Sequence, residues 1–389
     1  MNRVLIYSHD TYGLGHLRRS MRIAAGIVET GAASNVLIAS GSPQATSYPM
    51  PSGVDVVKLP AATKDEQGRY RSRTLGVGLD DLAMIRSRLV EAAIESFRPD
   101  VMLVDHAPTG MHDELAPVLD RLRMMPAGVR PSVVLGMREI IDSAPVVERQ
   151  WADGGVWDRL SADYDGVIVY GDAVVKTTAA ELRISDRISI PVVHVGYVCP
   201  DPFEHHVRTM PSIVVTAGGG GDGTGVLESY ISFLQDSRLA GRVRSILVTG
   251  PFAPSGSVGA MVGRLSKSEP VVEVVQFSSQ LETLLATAGG AISMAGYNTV
   301  AELLAHRVPA LLVPRVKPRL EQWLRATRLA SVASFTPLAA EDVTFDVIEQ
   351  FVETVVSGHV GRDHQLDLGG ARATGMALER LARSKVGAA

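Results

Sequence analysis

The sequence predicts an α/β protein with two doubly wound Rossmann-like domains, each a parallel sheet covered by helices on both faces. Short, fully apolar segments alternate with longer segments in which apolar residues recur at helical spacing, and this alternation runs through the chain twice. The chain has 389 residues, of which 46% are hydrophobic, and this is enough for two cores. Strands that are apolar at every position are typical of a parallel sheet buried on both faces.

The first half of the chain contains one complete series of strands and helices. Because helical segments separate the apolar strands, we expect these strands to be parallel. We expect this domain to span residues 1–195. Its strands are predicted at 4–8, 36–40, 54–59, 101–105, 132–136 and 166–170, and its helices at 18–30, 80–97 and 111–123.

The second half repeats the pattern after a segment that resembles a hinge. Residues 190–202 contain Pro191, Pro200, Pro202 and Gly196, which favour a break between domains. The second domain is therefore expected at 196–360, and a helical tail at 361–389 with a helix at about 370–383. The predicted strands are 212–216, 245–249, 271–276, 290–293 and 310–314, and the helices are 225–236, 279–287 and 299–306.

Composition excludes several classes of protein. The formal net charge is -4, so the chain lacks the basic excess of a nucleic-acid binder. The single cysteine, Cys199, has no partner within the chain for a disulfide, which fits a reducing compartment and predicts a cytoplasmic protein. No apolar stretch approaches the roughly 18 residues of a membrane span, so membrane contact is expected to be at most peripheral, at the inner face of the membrane.

Ligand sites of doubly wound domains lie outside the carboxyl ends of the strands. Two such domains are expected to face each other across a central cleft, so the first residues after each strand are the informative ones. After the first strand come Gly13, Gly15 and His16, directly before a helix. The glycines permit close approach of a ligand, and histidine is the residue type that most often acts as a general base. The alternative is a histidine at a helix start that is satisfied by neighbouring backbone groups.

The helix after this turn carries Arg18, Arg19 and Arg22. They form a local basic patch, which we interpret as the solvated side of the helix. The alternative is a patch that attracts a phosphate or an anionic surface.

A glycine-rich loop follows the first strand of the second domain. Gly218, Gly219, Gly220 and Gly221 stand between a strand and a helix, where converging N–H groups can bind phosphate oxygens, and Thr224 adds a hydroxyl. The loop lacks the Lys-Ser/Thr of a nucleotide-hydrolase P-loop. The alternative is a linker loop, which its position directly after a buried strand disfavours.

A second turn in this domain combines a helix start with a carboxylate. Its residues are Gly296, Tyr297, Asn298, Thr299 and Glu302. Glu302 can accept hydrogen bonds from a ribose diol while the helix start faces a pyrophosphate. The alternative is a capping box, because Thr299 and Glu302 have its Thr-x-x-Glu spacing.

One further pair follows the strand at 310–314. Glu321 and Gln322 are placed to bond sugar hydroxyls. Without further support, an exposed helix start is the preferred interpretation of this pair.

These motifs together resemble the GT-B glycosyltransferases of family 28, which includes the peptidoglycan N-acetylglucosaminyltransferase. The similarity extends to a bacterial group of predicted glycosyltransferases, whose first loop reads like residues 8–19 here. The resemblance implies a nucleotide-sugar donor, namely a UDP-sugar, with the acceptor bound by the first domain. It implies that Glu302 binds the uridine ribose and that Glu321 with Gln322 binds the donor sugar. Relatives commonly have two glutamines at the latter pair, so the identity of the donor sugar is not carried over.

The implied reaction is an inverting, metal-independent sugar transfer to an acceptor hydroxyl, with His16 as base. Gly15 is included among the residues expected to contact the donor. No cofactor is expected, and the acceptor is a glycan, a lipid-linked sugar or a small molecule. Two alternatives stay open: a nucleotide-sugar hydrolase on the same fold, in which His16 activates water, and a non-catalytic sugar-nucleotide-binding protein.

Two acidic residues are candidates for assisting His16. Asp105 and Glu139 follow strands of the first domain and could orient the imidazole or bind an acceptor hydroxyl. The alternative, which is preferred for each residue taken alone, is that it only stabilises a turn or caps a helix. Asp163 and Asp165 have the Asp-x-Asp spacing of some metal sites, but they precede a strand, so we interpret them as a solvated turn. No histidine or cysteine cluster has the spacing of metal ligands.

Overall fold

Two compact units make up the chain. The computed structural model describes residues 1–10, 15–64, 69–126, 128–201, 210–218, 223–250, 253, 256–265, 272–276, 278, 281–358 and 361–386. The first unit is Met1–Val198 with Leu366–Ala389, and the second is Cys199–Gln365. The prediction of two α/β domains with parallel sheets is confirmed.

The first unit is built on a sheet of parallel strands. These are β1 (Arg3–Ser8), β2 (Asn35–Ser40), β3 (Val54–Lys58), β6 (Val101–Asp105), β7 (Ser132–Arg138), β8 (Gly166–Tyr170) and β9 (Val192–His194), while β4 (Ala62–Lys64) and β5 (Tyr70–Ser72) form an antiparallel pair beside it. The strand order is β3-β2-β1-β6-β7-β8-β9. Every residue of β6 and β8 is buried, as expected for strands covered on both faces.

Helices cover this sheet. They are α1 (Gly15–Glu29), α2 (Leu79–Phe97), α3 (Ala116–Arg123), α4 (Ala144–Asp153), α5 (Val156–Asp163), α6 (Thr178–Glu181) and α7 (Ile184–Arg187). The single helix predicted at 111–123 is wrong. A short 3₁₀ turn, Met111–Asp113, precedes α3, because His112 and Asp113 have positive φ angles of 50° and 56°, which no α-helix continues.

The second unit repeats the architecture with another parallel sheet. Its strands are β10 (Ser212–Thr216), β11 (Arg244–Val248), β12 (Val272–Val275), β13 (Gly290–Ser293), β14 (Ala310–Leu312) and β15 (Phe335–Pro337), in the order β12-β11-β10-β13-β14-β15. Its helices are α8 (Thr224–Asp236), α9 (Ser257–Arg264), α10 (Leu281–Ala286), α11 (Tyr297–Ala305), α12 (Glu321–Leu329) and α13 (Phe345–Val356).

The tail helix, α14 (Gly370–Val386), returns to the first unit and packs along α1. The two helices approach so closely that a Cβ on Gly26 would lie 2.5 Å from the main chain of Ala371. Gly26 therefore has no room for a side chain, and the tail is an integral part of the first unit.

Each sheet has a point at which the strand order reverses. In the first unit this point lies between β1 and β6, and in the second between β10 and β13. Segments that leave two adjacent strands in opposite directions open a crevice there, at the carboxyl ends of the strands. Four of the residues singled out by the sequence lie at or after the ends of these strands: His16, Asp105, Gly218 and Glu302.

Asp163 and Asp165 lie at the opposite edge of the first sheet, and the prediction that they form a solvated turn is wrong. Asp163 is 1% exposed, and its Oδ2 accepts a hydrogen bond from Nη1 of Arg159 at 3.0 Å. Nη1 of Arg130 donates to both carboxylate oxygens of Asp165, at 3.0 and 2.9 Å. These carboxylates are ion-paired structural groups that hold the turn before β8.

No helix within the described residues has both the length and the apolar character needed to cross a bilayer.

Candidate functional site

The first unit brings His16 and Asp105 into direct contact at its switch point. Nδ1 of His16 lies 2.6 Å from Oδ2 of Asp105. The guanidinium of Arg19 holds the same carboxylate, with Nη2 at 2.6 Å from Oδ1 and 2.9 Å from Oδ2. Arg19 and Asp105 are each 2% exposed, while the side chain of His16 is 21% exposed. The imidazole is therefore the accessible end of a buried Arg–Asp–His arrangement.

The tautomer of His16 follows from these distances. A carboxylate oxygen at 2.6 Å is an acceptor and requires a hydrogen on Nδ1. Nη2 of Arg19 also lies 3.0 Å from Nδ1, but its two shorter contacts are to Asp105. We therefore assign the proton to Nδ1, which leaves the lone pair of His16 on Nε2.

The local fold places these groups. His16 is the second residue of α1, which begins after β1, and Asp105 ends the neighbouring strand β6. Asp10 fixes the start of the helix, because its Oδ1 accepts from the N–H of Leu17 at 2.9 Å and its Oδ2 accepts from Oγ of Ser40 at 2.5 Å. A carboxylate on the first N–H groups is a stabilising helix cap.

Two buried carboxylates at this point have opposite pKa shifts. Burial alone would raise the pKa of Asp105, but the adjacent Arg19 and His16 lower it well below the usual range. Burial raises the pKa of Asp10, and this effect exceeds the opposing influence of His16 and the hydroxyls of Ser40 and Ser8. Asp105 is therefore the carboxylate that stays ionised beside His16.

Two further histidines surround His16, and sequence reasoning did not assign them a role. The ring centroids of His9 and His106 lie 5.5 and 5.3 Å from that of His16, and 5.7 Å from each other. His106 has a left-handed backbone, with φ of 72°. A non-glycine residue in this region is uncommon and occurs often at functional sites. The signal in the sequence was their position, since each directly follows a strand.

The solvated-helix interpretation fails for Arg19, which is buried against Asp105. The sequence signal for Arg19 was its spacing of three residues from His16, which puts both side chains on one face of α1.

Glu139 follows β7 and is fully buried. Its carbonyl oxygen accepts from the N–H of Thr178 at 2.7 Å, so its main chain is tied to the start of α6, whereas the described contact that orients His16 comes from Asp105.

In the second unit, the first residues after β10, β13 and β14 lie side by side, because these strands are neighbours in a parallel sheet. Gly218 follows β10 with φ of +63°, and a Cβ on it would lie 3.9 Å from Sδ of Met294 in the loop after β13. Gly219, Gly220 and Gly221 lie outside the described residues. Thr224 begins α8.

Glu302 is fully buried on α11, and the capping-box interpretation of it is wrong. The helix begins at Tyr297 with Gly296 as its N-cap, so Thr299 lies inside the first turn and is not a cap. Asn298 occupies the second helical position. Glu302 is thus one turn into a helix whose free N–H groups lie at the carboxyl edge of the sheet.

Glu321 and Gln322 begin α12 and are 3% and 7% exposed, so the interpretation as an exposed helix start is wrong. Nη2 of Arg315 lies 3.2 Å from Oε1 of Glu321, and the N–H of Arg315 donates to Oε1 of Gln322 at 3.3 Å. Oε2 of Glu321 is buried and has no hydrogen-bond partner among the described residues.

Sequence reasoning also missed Arg325, which is fully buried on α12. Its Nη1 donates to the carbonyl oxygen of Ala295 at 3.0 Å, and its guanidinium lies 5.7 Å from the ring centroid of Tyr297. Arg325 therefore ties α12 to the turn that begins α11. Over the part of the chain that the structure describes, no group of three or more histidine, cysteine or acidic side chains is arranged to hold a metal ion.

Comparison with known proteins agrees with this architecture. Residues 239–359 match the model of the glycosyltransferase family 28 C-terminal domain. No curated protein sequence matches the chain.

Solved structures are similar to the chain over its full length. MurG of Acinetobacter baumannii has 14% sequence identity and a TM-score of 0.56, with 100% of both chains covered. UGT2 of Phytolacca americana, complexed with UDP-2fluoro-glucose and pterostilbene, has 15% identity and a TM-score of 0.60, with 100% of this chain and 98% of that chain covered. A ugt transferase from Siraitia grosvenorii in complex with UDP has 13% identity and a TM-score of 0.59, with 99% of this chain and 100% of that chain covered.

The fold and the domain match define a class: the protein is a glycosyltransferase of the GT-B architecture. Within that class, its second unit is similar to the C-terminal domain of family 28, the family that the sequence motifs resemble.

Proposed function

We propose that the protein transfers a sugar from a UDP-sugar to an acceptor hydroxyl, with inversion at the anomeric carbon and without a metal ion. The observation that carries this proposal is the contact between His16 and Asp105, with Arg19 holding the carboxylate. An imidazole whose Nδ1–H is bound by an ionised carboxylate has Nε2 available as a general base. The side chain of His16 is partly exposed, as a base that meets a substrate hydroxyl must be.

The reaction moves one proton and one sugar. The acceptor hydroxyl gives its proton to Nε2 of His16 while its oxygen forms a bond to the anomeric carbon. The bond between that carbon and the diphosphate oxygen breaks, and its electron pair leaves with UDP. Attack from the face opposite to the leaving group inverts the anomeric configuration. Asp105 stabilises the imidazolium that forms, and Arg19 keeps Asp105 ionised.

The donor half of the proposal rests on the second unit. Glu302 binds the ribose of the nucleotide, and Glu321 with Gln322 binds the sugar. The N–H groups at the start of α11 and those of the loop that begins at Gly218 bind the diphosphate, as helix N-termini and glycine-rich turns do. Fixed donors of this kind stabilise charge on the leaving group, which is the role that a divalent cation has in other transferases.

The complexes of two structural neighbours support uridine as the base. The Phytolacca americana protein is complexed with UDP-2fluoro-glucose and the Siraitia grosvenorii protein with UDP. The acceptor classes covered by the proposal are glycans, lipid-linked sugars and small molecules, which share the hydroxyl that His16 would deprotonate. Nucleic acid is not among the proposed partners, and the proposal includes a cytoplasmic location with membrane contact that is at most peripheral.

Donor consumption with and without acceptor tests the proposed function. We expect release of UDP from a UDP-sugar to depend on an added acceptor mixture, and the glycoside product to have inverted configuration by NMR. Release of free sugar from donor alone, at the same rate, would indicate the nucleotide-sugar hydrolase instead. If His16→Ala keeps full activity, the base lies elsewhere and Glu139 becomes the next candidate.

A further inference from the structure

Arg315 connects both side chains of the pair that we assign to the donor sugar. Its main-chain N–H donates to the amide oxygen of Gln322. The Nε2 group of Gln322 is therefore left to act as a hydrogen-bond donor to a ligand. Its guanidinium approaches Oε1 of Glu321, which leaves Oε2 as an acceptor. The subsite therefore presents one hydrogen-bond acceptor, a carboxylate oxygen, beside the hydrogen-bond donors of an amide and a guanidinium.

The free carboxylate oxygen of Glu321 needs a hydrogen-bond donor, which a bound ligand can provide. Oε2 of Glu321 is buried and has no hydrogen-bond partner among the described residues. Buried carboxylate oxygens are normally hydrogen-bonded, because an unsatisfied one costs about 1–3 kcal/mol or more. A hydroxyl group of a bound sugar can donate this hydrogen bond.

The segment directly before Glu321 is rich in cations. Arg315, Lys317 and Arg319 lie within five residues of one another directly before Glu321, in a chain whose formal net charge is -4. The side chain of Arg315 is 34% exposed, so part of it is accessible to a ligand. Guanidinium groups bind carboxylates through paired N–H donors, whereas a neutral hydroxymethyl group makes no use of the charge.

We propose that the donor sugar is a hexuronic acid, whose carboxylate pairs with Arg315 while a neighbouring hydroxyl donates to Oε2 of Glu321. In a hexuronate, the carboxylate on C5 and the hydroxyl on C4 are adjacent, which matches a guanidinium beside a carboxylate acceptor. This inference rests on the proposed function, because that proposal assigns Glu321 and Gln322 to the donor sugar.

Calorimetric titration of the full chain with UDP, UDP-glucose and UDP-glucuronate tests the proposal without knowledge of the acceptor. We expect UDP-glucuronate to bind about tenfold more tightly than UDP-glucose, as one added charge-assisted pair provides. Arg315→Gln should remove this preference and leave the affinity for UDP unchanged. Arg315→Lys should keep part of it, because the charge remains. Arg242→Gln, which removes an exposed cation elsewhere in the same unit, should keep the preference of the wild type.

Each contrary result has a different meaning. Equal or tighter binding of UDP-glucose by the wild type overturns the hexuronate proposal while leaving the UDP-sugar transferase intact. A similar loss of affinity for all three ligands in Arg315→Gln also overturns it, since the guanidinium would then serve the diphosphate. Binding of none of the three ligands by the wild type is the failure of the proposed function itself.

Discussion

The sites at the carboxyl edges of the two sheets are built in opposite ways. In the first unit, Asp105 is enclosed by Arg19 and His16, and its hydrogen bonds are made before any ligand arrives. In the second, Glu321 keeps a buried oxygen without a partner among the described residues. A site whose charges are already paired is set up to orient one reactive group, whereas a site with an open acceptor is set up to bind a ligand. Changes in the first unit should therefore alter rate, and changes in the second should alter affinity.

The largest effect is expected from His16→Ala. Removal of a general base lowers turnover by about 10²–10⁴-fold, because the acceptor hydroxyl must then lose its proton without help. Affinity for UDP should stay the same, since the nucleotide is assigned to the other unit. Steady-state rates with a saturating donor and a UDP titration of the same variant provide the measurement.

Another histidine of the first unit, His112, serves as the control for this variant. His112 is paired with the exposed Asp80, so His112→Ala should retain turnover. Loss of UDP binding in His16→Ala would contradict the assignment of catalysis and nucleotide binding to different units.

The next largest effect is expected from Asp105→Asn, and it concerns stability as well as rate. The variant leaves the buried Arg19 without its charged partner, which should cost about 3–5 kcal/mol at neutral pH. The pKa of Asp105 is lower in the folded protein than in the unfolded chain, so the carboxylate stabilises the fold above about pH 4 and less as the pH falls below that value. The gap between variant and wild type should therefore shrink in acid.

Urea unfolding at pH 7 and at pH 3.5, followed by circular dichroism, measures this gap. Asp120→Asn is the matched control, because Asp120 is a half-exposed carboxylate in the same unit and pairs with Arg159. Its loss should cost less than about 1 kcal/mol. An equal cost for the two variants would mean that the buried arrangement around His16 is no more than a surface-type ion pair.

A smaller effect is expected from Glu302→Gln, and it should be confined to nucleotide binding. Hydrogen bonds to a charged group contribute about 1.5–3 kcal/mol, so affinity for UDP should fall by roughly ten- to hundredfold. Glu341→Gln changes an exposed residue of the same unit and should leave the affinity unchanged. Unchanged UDP affinity in the folded Glu302→Gln protein would leave Glu302 with a purely structural role.

The sequence predicted the backbone of both units because their strands are apolar throughout and their helices periodic. It missed what depends on contacts between distant segments. The pairing of His16 with Asp105 joins residues 89 positions apart. Only the adjacency of β1 and β6 brings them together, and the choice between Asp105 and Glu139 was therefore open.

The burial of polar residues was the least predictable property. Glu321, Gln322 and Arg19 are charged or polar residues at helix starts, where solvent exposure is the ordinary expectation. Their burial follows from partners supplied by other loops or strands, such as Arg315 and Asp105. The spacing of Thr299 and Glu302 was misleading for a different reason, since the helix begins two residues before the supposed cap.

The smallest expected effect is that of chelation, for which we predict none. If the N–H groups at the start of α11 and in the loop after β10 stabilise the departing diphosphate, EDTA should leave turnover unchanged, and added Mn²⁺ should not raise it. Turnover with a UDP-sugar and acceptor, measured in the same buffer with and without EDTA, decides the point. Complete loss with EDTA, restored by Mn²⁺, would mean that a cation supplies the charge. The difference between the two units would then be larger, because the metal would be held with the diphosphate in the second unit. The buried oxygen of Glu321 without a partner among the described residues would be the first candidate ligand.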